Sequence, residues 1–257
     1  MNKKVNSSKL KTDCSLNMSV RTIQRHMKRS GFIYRKVKSQ IVLSKRHKEE
    51  RMKIITQWIS SNHKLENTIF TDEKRFSFDG SDDWRTCTKD SECLVRQKRQ
   101  CQGGGLMVWL MAFPNGLLSF KIIKGKLNSS GYINMLKNNI LPIIKLNYGN
   151  EFYYQEDNSP VHKAKVVKQF MIDSGISVLE WPAKSPDLNI VEDIWKIISD
   201  TIYDGPQFQN TRDLEESIKI CIRDINSSRR HVIENLYKNI RSRLCKVIAN
   251  HGNLYNK

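Results

Sequence analysis

Phe152-Tyr153-Tyr154-Gln155-Glu156-Asp157-Asn158 is a short apolar run of strand type that ends on two acids. Thr68-Ile69-Phe70-Thr71-Asp72-Glu73 repeats the pattern. A third acidic pair stands in the helical phrase Ile190-Val191-Glu192-Asp193-Ile194-Trp195. A carboxylate at the end of a buried strand is costly unless a cation or a strong donor compensates it. Asp72, Asp157 and Glu192 are therefore the candidate catalytic and metal-binding residues. Two such strands side by side, with the helix nearby, would let three carboxylates hold two divalent ions about 3.5–4 Å apart. Oxygen-only ligands favour Mg²⁺, with Mn²⁺ as a substitute, over zinc, and an ion pair of this kind acts on phosphates. The residues alone leave a bland reading open, because 22 acids lie between positions 67 and 257.

Working outward, the patterning predicts an α/β chain with a mixed sheet flanked by helices, preceded by a small all-α segment. Met107–Phe113 and Leu117–Ile123 read as a hairpin turned at Pro114-Asn115-Gly116. Phe76-Ser77-Phe78 continues or pairs with the first strand, and Ser177–Glu180 is a further short strand. Helices are expected over about 130–146, 159–173, 190–203, 211–225 and 229–249. The polar stretch 79–105, closing on Gly103-Gly104-Gly105, reads as an inserted loop, and 206–257 as C-terminal helices.

Charge divides the chain. Of 44 basic and 26 acidic residues, 17 and 4 fall in the first 66 positions, so the head carries most of the net charge of +18. A basic head on a nearly balanced body is the pattern of a nucleic-acid binder. Residues 19–30 form an amphipathic helix with Val20, Ile23 and Met27 on one face and Arg21, Gln24, Arg25, Lys28 and Arg29 on the other. It suits the recognition helix of a helix-turn-helix, although an ordinary surface helix would show the same pattern. Arg35, Lys36 and Lys38 lie in an extended basic connector. With Arg21, Gln24, Arg25 and Lys28 they are the candidate DNA contacts. Ser44 reads as the N-cap of a helix to about Ser60 with Met52, Ile55 and Ile59 inward. The DNA-binding region and its linker are then 1–62, and the catalytic domain 67–257. The six cysteines form no C-x-x-C pair, which points to reduced thiols. No run is long enough for a membrane span, and the basic, polar start lacks a signal-peptide pattern.

Asp157-Asn158-Ser159-Pro160-Val161-His162, Trp181-Pro182-Ala183-Lys184-Ser185-Pro186-Asp187-Leu188-Asn189 and Glu192-Asp193-Ile194-Trp195 closely resemble the catalytic region of Tc/mariner superfamily transposases. The likeness extends to Ile69–Phe76, to Gly103-Gly104-Gly105 with Met107-Val108-Trp109, and to the C-terminal Arg243–Ile248 and Gly252–Tyr255. The 34 residues between Asp157 and Glu192 match the Tc-like branch. The resemblance implies a ribonuclease-H-like fold with Asp72, Asp157 and Glu192 as the catalytic, metal-binding triad using two Mg²⁺ ions. It implies cleavage at terminal inverted repeats and joining of 3′-hydroxyl ends to target DNA, in the nucleus, by a homodimer on double-stranded DNA. Asn158 and His162 would act from a second shell or touch DNA, while Pro186, Asn189 and Trp195 would shape the turn that carries Glu192. Asp187 and Asp193 read as structural or solvated. Relatives carry two helix-turn-helix modules, and only the second is matched here. The competing reading is a catalytically silent or repurposed DNA-binding remnant.

Overall fold

The computed structural model describes Lys11 and residues 14–30, 41–61, 65–80, 99, 103–148, 152–204 and 206–255. The chain divides into two compact units, Met1–Val42 and Leu43–Lys257. In the first, α1 spans Val20–Arg29. The Ser19 hydroxyl accepts from the Thr22 N–H at 3.1 Å and caps it. Ile23 is buried, Val20 and Met27 half-buried, and Arg21, Gln24 and Arg25 exposed, so the expected two-faced helix forms. Arg35, Lys36 and Lys38 lie outside the described residues, as do Arg85, Lys89, Arg96 and Lys98 of the inserted loop.

The second unit begins with α2, Lys45–Ser60, capped by Ser44. The Ser44 side chain accepts from the His47 backbone while the His47 ring accepts from the Ser44 N–H, a reciprocal box that satisfies two otherwise open donors. A five-stranded sheet follows in the order β3-β2-β1-β4-β5, comprising β1 Thr68–Ser77, β2 Gly105–Ala112, β3 Leu118–Ile123, β4 Tyr153–Gln155 and β5 Ser177–Val178. β2 is antiparallel to both β1 and β3, whereas β1, β4 and β5 run parallel. The hairpin turns where expected. Gly105 is required at its start, since a Cβ there would stand 2.1 Å from the Phe76 carbonyl oxygen.

Alternation along the strands builds a core on each face. Ile69, Trp109, Met111 and Tyr154 face α3 (Ser129–Met135), α4 (Leu141–Tyr148) and α5 (Lys165–Asp173). A π-helical stretch, Leu136–Ile140, joins α3 to α4. Phe70, Phe76, Val108 and Leu110 face the other cluster, with α2, α6 (Val191–Ile202), α7 (Thr211–Ser228), α8 (Arg230–Lys238) and α9 (Ile240–Ala249). Helix, mixed sheet and helix are thus stacked in three layers.

Four expectations are corrected. The helix after Asp157 starts at Lys165 rather than 159, because the Ser159 backbone and the His162 ring are turned back onto the Asp157 carboxylate. The single helix over 229–249 is two, broken at Asn239. Asp72 does not close β1, which continues to Ser77 as one of the two expected arrangements had it, because its β2 edge stays paired throughout. Finally, α2 is not part of the N-terminal region. Its stripe of Arg51, Ile54, Ile55 and Trp58, at i, i+3, i+4 and i+7, is buried in the second unit, while the expected inward residue Ile59 is 46% exposed.

Candidate active site

The ladder between β1 and β4 stops at the pair Phe70–Gln155. Asp72 lies two residues past that pair along β1, which continues, and Asp157 two residues past it in the chain that leaves β4. Side chains extend the ladder past its end. Gln155 Oε1 accepts from the Thr71 N–H at 3.2 Å, and the Thr71 hydroxyl donates to the Gln155 carbonyl at 2.8 Å.

Glu192 comes from the first turn of α6, whose start is tied to β1. Asn189 donates through Nδ2 to the Thr71 carbonyl at 3.1 Å and accepts through Oδ1 from the Val191 N–H at 3.0 Å. Trp195, one turn after Glu192, donates its indole N–H to Asp72 Oδ2 at 3.0 Å. Residues three apart share a helix face, so Glu192 is directed toward Asp72 as well. Burial, and after it the charge of Glu192, pushes the Asp72 carboxyl up to about 7 against the pull of Trp195.

Asp157 is held differently. Its side chain is 53% exposed, and Oδ1 accepts from the Ser159 N–H at 2.9 Å and meets His162 Nδ1 at 2.7 Å. The bond to His162 keeps this carboxyl below its usual range. His162 is buried against Tyr132, with Nε2 3.5 Å from Glu73 Oε1. Burial opposes its protonation, but the hydrogen bonds to Asp157 and Glu73 prevail and raise it to about 10. Glu156 turns to the opposite face from Asp157, accepts from the Tyr132 hydroxyl at 2.8 Å, and is pushed up by burial.

The structure thus brings Asp72 toward Glu192, and sets Asp157 just past the end of the adjoining strand β4. Among the described residues, no three acidic, histidine or cysteine side chains are already gathered around one point in ligating geometry. Asn158 Nδ2 donates to the Trp181 carbonyl at 2.9 Å and braces that loop. Asp187 and Asp193 are structural, paired to Arg51 at 2.7 Å and Arg243 at 2.5 Å. The sequence reading missed Arg51, Arg243 and the bond from Trp195 to Asp72. A basic side chain whose partner is far along the chain leaves no local signal, and tryptophan reads as core whether or not its N–H is used.

Residues 67–215 match the model of the DDE superfamily endonuclease family. The chain belongs to that family. Over 251 residues it is 29% identical to the transposable element Tc3 transposase of Caenorhabditis elegans, covering 96% of this chain and 75% of that protein. It is 26% identical to the Tcb2 transposase of Caenorhabditis briggsae, with 73% and 71% of the two chains covered. Its fold is similar to that of the Mos1 mariner transposase in a paired end complex with Mn, at a TM-score of 0.73 and 16% identity over 98% of this chain and 76% of that one. The three-layered unit is therefore ribonuclease-H-like, and this DDE enzyme is a DNA transposase of the Tc/mariner superfamily.

Proposed function

We propose that this transposase cleaves DNA at terminal inverted repeats and joins the freed 3′-hydroxyls to target DNA, with Asp72, Asp157 and Glu192 as ligands of two Mg²⁺ ions, for which Mn²⁺ can substitute. The observation that carries this reading is Glu192, on a helix whose start is tied to β1, lying close enough to Asp72 to raise it, with Asp157 two residues past the last residue of the neighbouring strand. The residues fit hard divalent ions. Their donors are all carboxylate oxygens, and the half-buried Asp72 carboxyl faces a like charge that a cation would offset. When bound, the ions would activate the attacking water or 3′-hydroxyl and relieve charge on the leaving oxygen.

The chain's own residues supply position and protonation state. Trp195 orients Asp72, and Asn189 fixes the start of α6 and with it Glu192. His162 holds Asp157 ionised and restrains its rotation. Asn158 keeps the Trp181 loop beside the site. Arg21, Gln24 and Arg25 on the exposed face of α1, with Lys28, Arg35, Lys36 and Lys38, serve double-stranded DNA as a helix-turn-helix and linker. Work on repeat ends in pairs calls for a homodimer on DNA, and the nucleus is where such a protein meets its substrate.

The test is nicking of supercoiled plasmid DNA by the full chain with Mn²⁺ or Mg²⁺. Asp157→Asn keeps the shape but removes the charge a ligand needs. It is expected to lower nicking by more than the roughly 10–100-fold typical of losing an outer partner of a metal site. Persistent nicking by the variant would remove Asp157 from the triad. No nicking by the unaltered chain with either ion would favour the silent DNA-binding remnant.

A further inference from the structure

We propose that Arg51 is a positioning residue for Glu192, acting through Asp187 and Asn189. The inference rests on the triad reading above and extends it to a helix that no motif of the catalytic region includes. Arg51 is fully buried. A guanidinium in that setting is costly unless its donors are met, and here each finds an acceptor. Nε donates to the Gly252 carbonyl at 2.9 Å. Nη1 donates to Ser185 Oγ at 2.5 Å and Asp187 Oδ1 at 2.9 Å, and Nη2 to Asp187 Oδ2 at 2.7 Å and, at 3.5 Å, the Asn253 carbonyl. The two-pronged grip on Asp187 fixes direction as well as distance.

What Arg51 grips is the turn that leads into α6. Ser185 and Asp187 flank Pro186, and the backbone then closes in successive turns. Leu188 donates to the Ser185 carbonyl, Asn189 to Pro186, and Glu192 to Asn189. Asn189 is in turn bonded to the Thr71 carbonyl, next to Asp72, and to the Val191 N–H, next to Glu192. Between Asp187 and Glu192 there is no slack segment to absorb a shift. Just before the turn Lys184 is held at φ 54°, a conformation that a lysine keeps only when its surroundings impose it. On the far side Gly252 (φ 76°) fits against α2 so closely that a Cβ would lie 2.5 Å from the Lys48 carbonyl oxygen. The Trp58 and Trp181 rings, 5.6 Å apart, pin the other end of the same loop to α2.

Stability alone does not account for an arginine here. Ile54, Ile55 and Trp58 already form the buried stripe, and an apolar side chain at 51 would complete it without desolvating a charge. Replacing a buried ion pair by well-packed apolar groups is often neutral or stabilising. What the arginine adds is a fixed set of directions for the loop that carries Glu192.

The full chain with R51K, or with the apolar pair R51M/D187L, is compared with wild type in nicking of supercoiled plasmid. Read out are the Mn²⁺ concentration for half-maximal rate, the maximal rate and the melting temperature, with D157N as the blank. R51K keeps the charge but not the fork, and R51M/D187L leaves no unpaired charge behind. Both are expected to need about tenfold more Mn²⁺ for half-maximal rate, as when an outer partner of a metal site is lost. R51M/D187L should nonetheless melt at or above the wild-type temperature. Wild-type Mn²⁺ dependence in both variants, at temperatures where they are folded, would overturn the proposal even if either melted early. Wild-type nicking no faster than that of D157N would overturn the triad reading and this proposal with it.

Discussion

Asp72 is the residue on which the energetics of the site turn. Its carboxyl ionises near 3.8 when unperturbed and at about 7 in the fold, so the folded state holds the proton more tightly than the unfolded chain does. The stability gained this way is complete below about pH 4 and is lost as the pH rises through about 7. His162, raised to about 10, adds a loss of the same sign at higher pH, from its ordinary value near 6.5 upward. The metal-free protein is therefore expected to melt at a lower temperature at about pH 8 than at about pH 5, and Asp72→Asn should flatten the part of that slope below about pH 7. Thermal melts across pH check this, and an unchanged slope in the variant would mean that Asp72 is not the buried, repelled carboxyl described. At this scale the three acids were singled out in the sequence less by position, since β1 runs past Asp72 and Glu192 is on a helix, than by the phrases around them. What holds them was legible only in part. His162 stood in the motif, whereas the role of Trp195 depends on a partner 123 positions away.

At the scale of elements, the start of α6 matters most. Asn189 is buried and spends both ends of its amide, one on β1 and one on its own helix. Asn189→Ala leaves the Thr71 carbonyl without its side-chain donor. It is expected to cost about 1–3 kcal/mol in urea unfolding, the range for stranding a buried polar group, and to lower nicking even where the protein remains folded. A stability equal to wild type would show that the amide does not tie the helix to the strand. Elements with local signals were read well. The Ser44 cap, the Pro114-Asn115-Gly116 turn and the two-faced α1 all follow from neighbours in sequence. Segment 159–164 was misread as helix, because what turns it is the demand of the Asp157 carboxylate for donors. α2 was assigned to the wrong unit because Arg51 looks like any basic residue on a basic helix, and its carboxylate lies 136 positions on.

At the scale of the whole molecule, net charge is unevenly placed along the chain. The first 66 positions hold 17 of the 44 basic residues but only 4 of the 26 acidic ones, and Asp72 and Asp157 both lie past the last pair of the β1–β4 ladder. The central claim is that Asp72, Asp157 and Glu192, drawn from two strands and a helix, form one metal site. Mn²⁺ binding to the full chain, followed by titration calorimetry for wild type and for Asp72→Asn, Asp157→Asn and Glu192→Gln, tests it directly. Each single substitution is expected to weaken Mn²⁺ binding by at least about tenfold, since each removes a charged ligand from a shared site. Undiminished Mn²⁺ affinity in any one of the three would contradict the account, because that acid would then stand outside the site.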